Sequence, residues 1–468
     1  MRTLHRCTLS LAVVSFLFSG CVSLAPDYAR PSAPVPSTWD MGAKESNQNV
    51  QELSWQAFIQ DERLSKVVAQ SLEQSRDLRK AVANIEAARA MYRVQRSSEF
   101  PTIEVGTTGS KARSLNSTTN TTTISQSSSA TVGLSSYELD FFGKARSLSE
   151  SEFETYKGVE EAERSVRITL IAETVSAWLT YASDQSLLSL SQQTEASAKH
   201  SLELVQKRVE LGIDSKVSEY NAQTILQQAK ADVASYTTKV AQDRAALELL
   251  VGARVDDALL PKELESASQN WLADVPVGLS SEILLNRPDV LEAEHNLKAA
   301  NANIGSARAA YFPSITLTTK GGVGSSTLTG LFSGGTSTIW SFVPNISLPI
   351  FDAGERDANL DYAKAKRDVY VATYESAIQT AFKEVSSALA RRATIYDQYT
   401  AQEALVEATK QSYMLYDARY QKGVDTYLNA LLSQRSFYSS QQSLISVRLE
   451  ELNNRVTLYR VLGGGLAN

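Results

Sequence analysis

Two kinds of hydrophobic patterning alternate along the chain, and each occurs twice. Residues 213–251, 355–422 and 424–462 carry apolar side chains at helical spacing and contain neither Gly nor Pro. At ~1.5 Å per residue the longest would extend about 100 Å as one helix, so such helices must find partners along their whole length. Leu226, Val233, Val240 and Leu247 recur at every seventh position, the spacing of a coiled-coil seam. Shorter amphipathic helical patterns fall near 62–98 and 279–310, each ended by a Phe-Pro pair, Phe100-Pro101 and Phe312-Pro313. Between the helical stretches the period changes. Residues 114–137 and 321–351 carry no charge, yet neither stretch is apolar enough for a transmembrane helix. Trp340, Phe342, Ile346, Leu348 and Ile350 fall on one face of a period-two pattern, and Ile339, Ser341, Val343, Asn345 and Ser347 on the other. Ile103, Val105 and Thr107 alternate likewise with Thr102, Glu104 and Gly106. One apolar, aromatic face at period two predicts membrane β-barrel strands of ~10 residues, with the Ser/Thr/Asn run at 114–129 as an extended exposed loop. A soluble hairpin fits the alternation too.

The two halves share one register. Gly143, Arg208, Gly212, Asp214 and Gly252 recur at one constant offset as Gly354, Arg419, Gly423, Asp425 and Gly463. Asp77 and Asn84 recur as Asp289 and Asn296, a single place out of that register. A fixed offset over so long a span predicts a duplicated architecture. Repeat 1 occupies 62–270, with a hairpin about 100–142 and helices about 144–251. Repeat 2 occupies 271–468, with a hairpin about 312–352 and helices about 355–462. Two hairpins give four strands, and four strands cannot close a barrel. Lipid tolerates no open sheet edge, so a barrel of at least ~8 strands must be assembled from several chains. A dimer with eight strands and a trimer with twelve both satisfy this.

The N-terminus adds an address. Arg2 and Arg6 precede an apolar run at 9–18 too short to span a bilayer, followed by Ser19 and Gly20, so residues 1–20 read as a secretory signal peptide. The following FSGC resembles a bacterial lipobox, although Phe18 stands where Leu is usual; the resemblance makes Cys21 the lipidated first residue of the mature chain, carrying acyl and diacylglycerol lipid. Val22 after it implies delivery to the outer membrane. The next residues, within a 21–61 extension, are Pro-rich and suit an extended tether along a surface. Composition then narrows the chemistry. With 46 basic and 52 acidic residues the net charge is −6, against a nucleic-acid partner. Two Cys and three His leave little for a metal site or a His-dependent reaction, and the mature chain has one Cys, too few for an internal disulfide. His200 and His295 read as solvated helix residues. The glycines at 321–324 lack the Lys of a phosphate loop. An enzyme reading has no catalytic group to rest on, and a fibrous coiled coil leaves the uncharged hairpins unexplained.

Several segments together carry a resemblance. LLNRPDVLEAEHNL (284–297), ANIGSARAAYFPSI (302–315), SLPIFDAGERDANL (347–360), YELDFFGKAR (137–146) and RYQKGVDTYLNALLSQRSFYSSQ (419–441) resemble the TolC-like outer-membrane factors, in order and in both halves. The lipobox points to the lipoprotein branch serving resistance–nodulation–division efflux pumps. The resemblance implies mixed α and transmembrane β architecture. A homotrimer would build a twelve-stranded barrel in the outer membrane of a Gram-negative cell and a coiled-coil α-barrel across the periplasm. It also implies a passive exit duct for drugs, without enzymatic activity, with type I protein secretion as the alternative use of the same architecture. A periplasmic adaptor would dock at the helix tips near Gly212, Asp214 and Gly423, and an inner-membrane proton-driven transporter would supply the energy. The aperture maps to Tyr420, Asp425, Leu428, Asn429 and Leu432. Asn429 and Leu432 occupy the family's acidic-ring positions, and Ser218 that of a gate Asp. The expectation here is therefore an apolar plug of Leu428 and Leu432, with Tyr420 and Asp425 bonding between coils.

Overall fold

The computed structural model describes residues 23–40, 53–116, 118, 120–264, 271–276 and 280–464. Cys21 and the expected leader lie outside the described residues. In chain order, helices α1 (Trp55–Phe58), α2 (Glu62–Gln74) and α3 (Arg76–Ser97) lead to strands β1 (Ile103–Asn116) and β2 (Thr121–Glu138). Helices α4 (Lys144–Glu210) and α5 (Lys216–Val251) follow. After 3₁₀ turns at Asp257–Leu259 and Ser281–Asn286 the order recurs: α6 (Pro288–Ala309), β3 (Ser314–Ser325), β4 (Ser337–Ser347), α7 (Glu355–Gln421) and α8 (Tyr427–Val461). Among the described residues no helix is long and apolar enough to cross a membrane.

Where the pattern over 62–98 predicts one helix, the chain forms two. Asp61 caps α2 by accepting from Arg63 N and Leu64 N. The helix stops at Ser75, which is extended (φ −55°, ψ 133°) and buried. The second half breaks at the corresponding place, Arg287 (φ −68°, ψ 138°). There the cause is written in the chain, because the ring of Pro288 disfavours helical backbone in the residue before it. No Pro marks Ser75. Instead Gly252, left-handed at φ 76° beyond the end of α5, lies against the break, and a Cβ on it would approach Gln74 O to 2.5 Å. That position demands Gly for both conformation and space.

The described residues fall into two compact units that each draw on both halves. The first takes Met1–Ser32, Asn84–Glu160 and Glu292–Tyr374. It holds one antiparallel sheet in the order β1-β2-β3-β4, leaving β1 and β4 each with an open edge. Val105 faces Val132, Val132 faces Gly321, and Gly321 faces Trp340. Directly opposed residues share a face, so Ile103, Val105, Val132, Leu134, Trp340 and Phe342 line one side, and Glu104, Ser110, Ser127, Thr131, Lys320 and Ser341 the other. The strands run 14, 18, 12 and 11 residues, longer than expected. Most of the 114–129 run taken for a loop is strand. Backbone pairing continues through it from Asn116↔Thr121, and lower down Ser110 and Ser127 bond at 2.9 Å. Ladder hydrogen bonds need no apolar side chains, and β-branched Thr suits a strand.

In the same unit, residues 24–30 lie along α6. Asn301 Nδ2 donates to Pro26 O (2.7 Å), Arg308 Nη1 donates to Leu24 O (3.0 Å), and Glu294 accepts from Tyr28 Oη and Arg30. Gly305 leaves room for the backbone of Ala25, which a Cβ would meet at 2.7 Å. His295 is not a solvated helix residue: its Nδ1 lies 2.6 Å from Glu154 on α4, and both side chains are mostly buried. His200 is exposed.

The second unit takes Ala33–Ala83, Glu161–Leu291 and Glu375–Asn468. Its core is largely aliphatic, with aromatic pairs set in it. Phe58 stacks on Tyr459 (4.4 Å), Trp39 on Phe382 (4.9 Å), and Trp178 meets Trp271 edge-on (5.0 Å). Trp178 is fully buried and donates its indole N–H to Leu259 O at 3.0 Å, which satisfies its one polar group. Arg287 ties the helix break to the C-terminal helix, donating to Val461 O (2.6 Å), Asp289 (2.6 Å) and Glu384 (2.9 Å).

Candidate functional site: the paired helix tips

Helices α4 and α5 turn at 211–215, and α7 and α8 at 422–426. Both turns begin alike. Gly212 (φ 71°) and Gly423 (φ 73°) are left-handed. Ile213 N donates to Arg208 O (2.8 Å) and Gly212 N to Val209 O (3.0 Å). Val424 N donates to Arg419 O (2.9 Å) and Gly423 N to Tyr420 O (2.9 Å). These are Schellman closures, which satisfy the last helical carbonyls, and the left-handed residue they need is favourable only for Gly. In each turn an Arg of the last helical turn reaches the Asp six residues on: Arg208 to Asp214 at 2.8 Å, and Arg419 to Asp425 at 3.1 Å.

At the tips the coils meet through Tyr420. Its hydroxyl donates to Asp214 Oδ2 at 2.7 Å, the oxygen that also takes Arg208 Nε, and the Arg208 guanidinium lies over its ring at 4.7 Å. Tyr420 is 3% exposed and packs with Val205, Ala222, Tyr427, Ala430 and Leu431. Burial, then the Asp214 carboxylate accepting its hydrogen bond, pushes the Tyr420 hydroxyl far above its usual range, so it stays a donor. Burial likewise pushes Tyr427 up to about 12.

Asp425 departs from the expectation of a bond between coils. Its partners within the chain all belong to its own tip: Asn429 Nδ2 (2.7 Å), Thr426 N (2.8 Å) and Arg419. In that order these hold its carboxyl below the usual range. The sequence pairs Asp214 and Tyr420 only weakly, because they lie in different halves of the chain and neither residue type implies the other. Leu428 and Leu432 point away from the coil seam, at 51% and 50% exposed, while Tyr427, Ala430 and Leu431 fill it. Ser218 donates its N–H to the hydroxyl of Ser215, the N-cap of α5 (3.2 Å), and carries no charge. Around both turns, Leu211, Ile213, Val217, Tyr220 and Val424 leave large apolar side chains exposed.

Long paired helices that end in glycine turns, together with a sheet that has one apolar face, are the architecture of an outer-membrane channel protein. The family model described as outer membrane efflux protein matches the chain twice, over residues 67–253 and 279–464, and the chain belongs to that family. It is similar to the probable efflux pump outer membrane protein TtgC of Pseudomonas putida, 44% identical over 465 residues, covering 98% of this chain and 95% of that protein. It is also similar to the outer membrane protein OprJ of Pseudomonas aeruginosa, 38% identical, covering 97% and 95%. Among solved structures, the open-state MtrE outer membrane channel of Neisseria gonorrhoeae superposes with a TM-score of 0.87 at 35% identity, covering 95% of this chain and 99% of that one. The chain is therefore an outer-membrane efflux channel component.

Proposed function

We propose that three copies form the exit duct of a tripartite pump, with each chain contributing one internally repeated half-pair to the wall. The observation that carries this is the sheet: its apolar face and two open edges require other chains before lipid can surround it. Pairing β4 of one copy with β1 of the next closes a ring of twelve strands, and the paired helices of the three copies assemble an α-barrel. Lipid on Cys21 anchors each copy. At the helix tips, the Tyr420–Asp214 link holds the coils together, and Leu428 and Leu432 line the aperture with apolar rings. A periplasmic adaptor docks at Gly212, Asp214 and Gly423, parts the coils, and joins the duct to an inner-membrane proton-driven transporter. The cargo matches that of relatives named for antibiotic, toluene and solvent efflux. Such names favour efflux over type I secretion.

The native mass of protein extracted from the outer-membrane fraction tests the assembly. Three chains are expected, and a dimer, or a monomer in the soluble periplasm, would overturn it. For the aperture, Leu432→Ser should raise uptake of a large antibiotic in a pump-deficient strain, and unchanged uptake would remove the plug.

A further inference from the structure

The sheet holds two cations that an exit duct does not use. Register places Lys111 opposite Gln126 and Arg113 opposite Ile124, on the face that carries Ile103, Val105, Val132 and Trp340. Both side chains are exposed. They stand at the end of β1 farthest from α3. No acid lies within 105–137 or 321–351, and Lys111 and Arg113 are the only charges in those stretches. Among the described residues Arg113 Nη2 donates to the Thr122 hydroxyl at 3.5 Å. Glu104 and Lys320 fall on the opposite face and neutralise neither.

Barrel geometry gives these positions a depth. With ~3.4 Å per residue and a tilt of ~40°, Lys111 stands about 20 Å and Arg113 about 26 Å beyond Ile103. An apolar barrel band is ~25 Å tall, so with Ile103 at its inner boundary Arg113 emerges at the outer one, and Lys111, about 5 Å short of it, reaches the same interface by its long stem. Charge facing lipid is costly at the midplane and nearly free at the interface, which fits that height. Two residues apart on one face, they lie ~7 Å from each other. An Arg fork beside a Lys point charge, with no carboxylate between them, is a donor set for phosphate.

We infer that Lys111 and Arg113 form a seat on the outer wall of the barrel for a phosphate group of the outer-leaflet glycolipid. The inference rests on the membrane barrel proposed above. The end of β1 away from the periplasmic helices assigns the outer leaflet rather than the inner one. The opposing strand supplies Gln126 and Thr122, neutral groups suited to the sugar hydroxyls around such a phosphate.

The test uses the full-length protein extracted in mild detergent and purified lipopolysaccharide, intact or enzymatically dephosphorylated. The chain should retain the intact glycolipid, and Lys111→Ser/Arg113→Ser should bind it at least about tenfold more weakly. Lys320→Ser, on the opposite face, should bind as the unaltered chain does. Undiminished binding by the double variant, or equal binding of the dephosphorylated glycolipid, would overturn the seat. In parallel, the quenching by brominated lipid that is lost on Trp340→Phe reports whether this face meets hydrocarbon. No such component would overturn the barrel and the seat together; its presence with undiminished binding by the double variant would overturn the seat alone.

Discussion

The two helix tips share a backbone and differ in chemistry. Each closes on a left-handed Gly, and each sets an Arg against an Asp six residues on. At the first tip that ion pair is sheltered, with Arg208 18% and Asp214 14% exposed, because Tyr420 covers it and bonds to it. At the second tip Arg419 is 57% exposed. The position of Tyr420 in the first half is Val209, which has no hydroxyl to return the bond. The turn is thus maintained by geometry that both halves keep, while the link between coils at the tip hangs on one residue that only one half has. A structural turn and a bond between coils thus occupy the same place and depend on different residues.

That contrast can be broken most sharply at Tyr420. Tyr420→Phe keeps the buried ring and removes the hydroxyl, costing about 1.5–3 kcal/mol for a bond to a charged acceptor. Hydrogen exchange should show faster opening of 208–214, and a cycle with Asp214→Asn should show strong coupling; additive effects would mean that the two groups do not cooperate. Gly212→Ala and Gly423→Ala should each cost about 1–2 kcal/mol through left-handed strain alone, since a Cβ at either position meets nothing within 4 Å. Equal losses at the two tips in thermal unfolding are expected, and an unequal pair would show that the turns are not equivalent. Arg419→Gln should cost at most about 1 kcal/mol, as an exposed pair does, and Arg208→Gln more, because it also loses the Tyr420 ring.

The smallest effect lies in the coil behind the first tip. Burial, then the nearby Asp184, pushes the Asp243 carboxyl up to about 6, with Lys239 opposing. A raised folded value contributes stability that is full below the unfolded value and lost as pH rises through about 6. Protection from exchange around 184 and 243 should therefore be greater at pH 5 than at pH 7.5. The matching residue of the second half is Asn454, which donates to Ala388 O (3.0 Å). Asp243→Asn should import that neutral solution and flatten the pH dependence; a profile that survives the change would assign it elsewhere.

Much of this was legible in the chain, for reasons that differ by place. The breaker-free stretches and the recurring glycines mark the long helices, because Gly and Pro act on the backbone locally. Pro288 announces the second helix break. Ser75 carries no such Pro signal, and the Gly252 that packs against its break lies far along the chain. The seven-residue seam holds at Leu226 and Leu247, which are buried, while Val233 and Val240 between them are only partly covered. Composition misread 114–129 as a loop, because Ser and Thr leave no apolar trace of a backbone ladder. Glu294, buried beneath Tyr28 and Arg30, carried no signal, since an acid on an amphipathic helix reads as solvated. At the tips, resemblance located Tyr420, but only the folded coils bring it to Asp214.

The two open edges of the sheet also bear on inheritance. In the proposed trimer every copy lends one edge to each neighbour, so a chain with a ruined β1 or β4 disables its two partners as well as itself. A cell making damaged and sound copies in equal number would assemble only about one ring in eight wholly from sound chains, if mixing is random among three places. Lesions in the strands should thus behave as dominant ones, and lesions confined to making less protein as recessive.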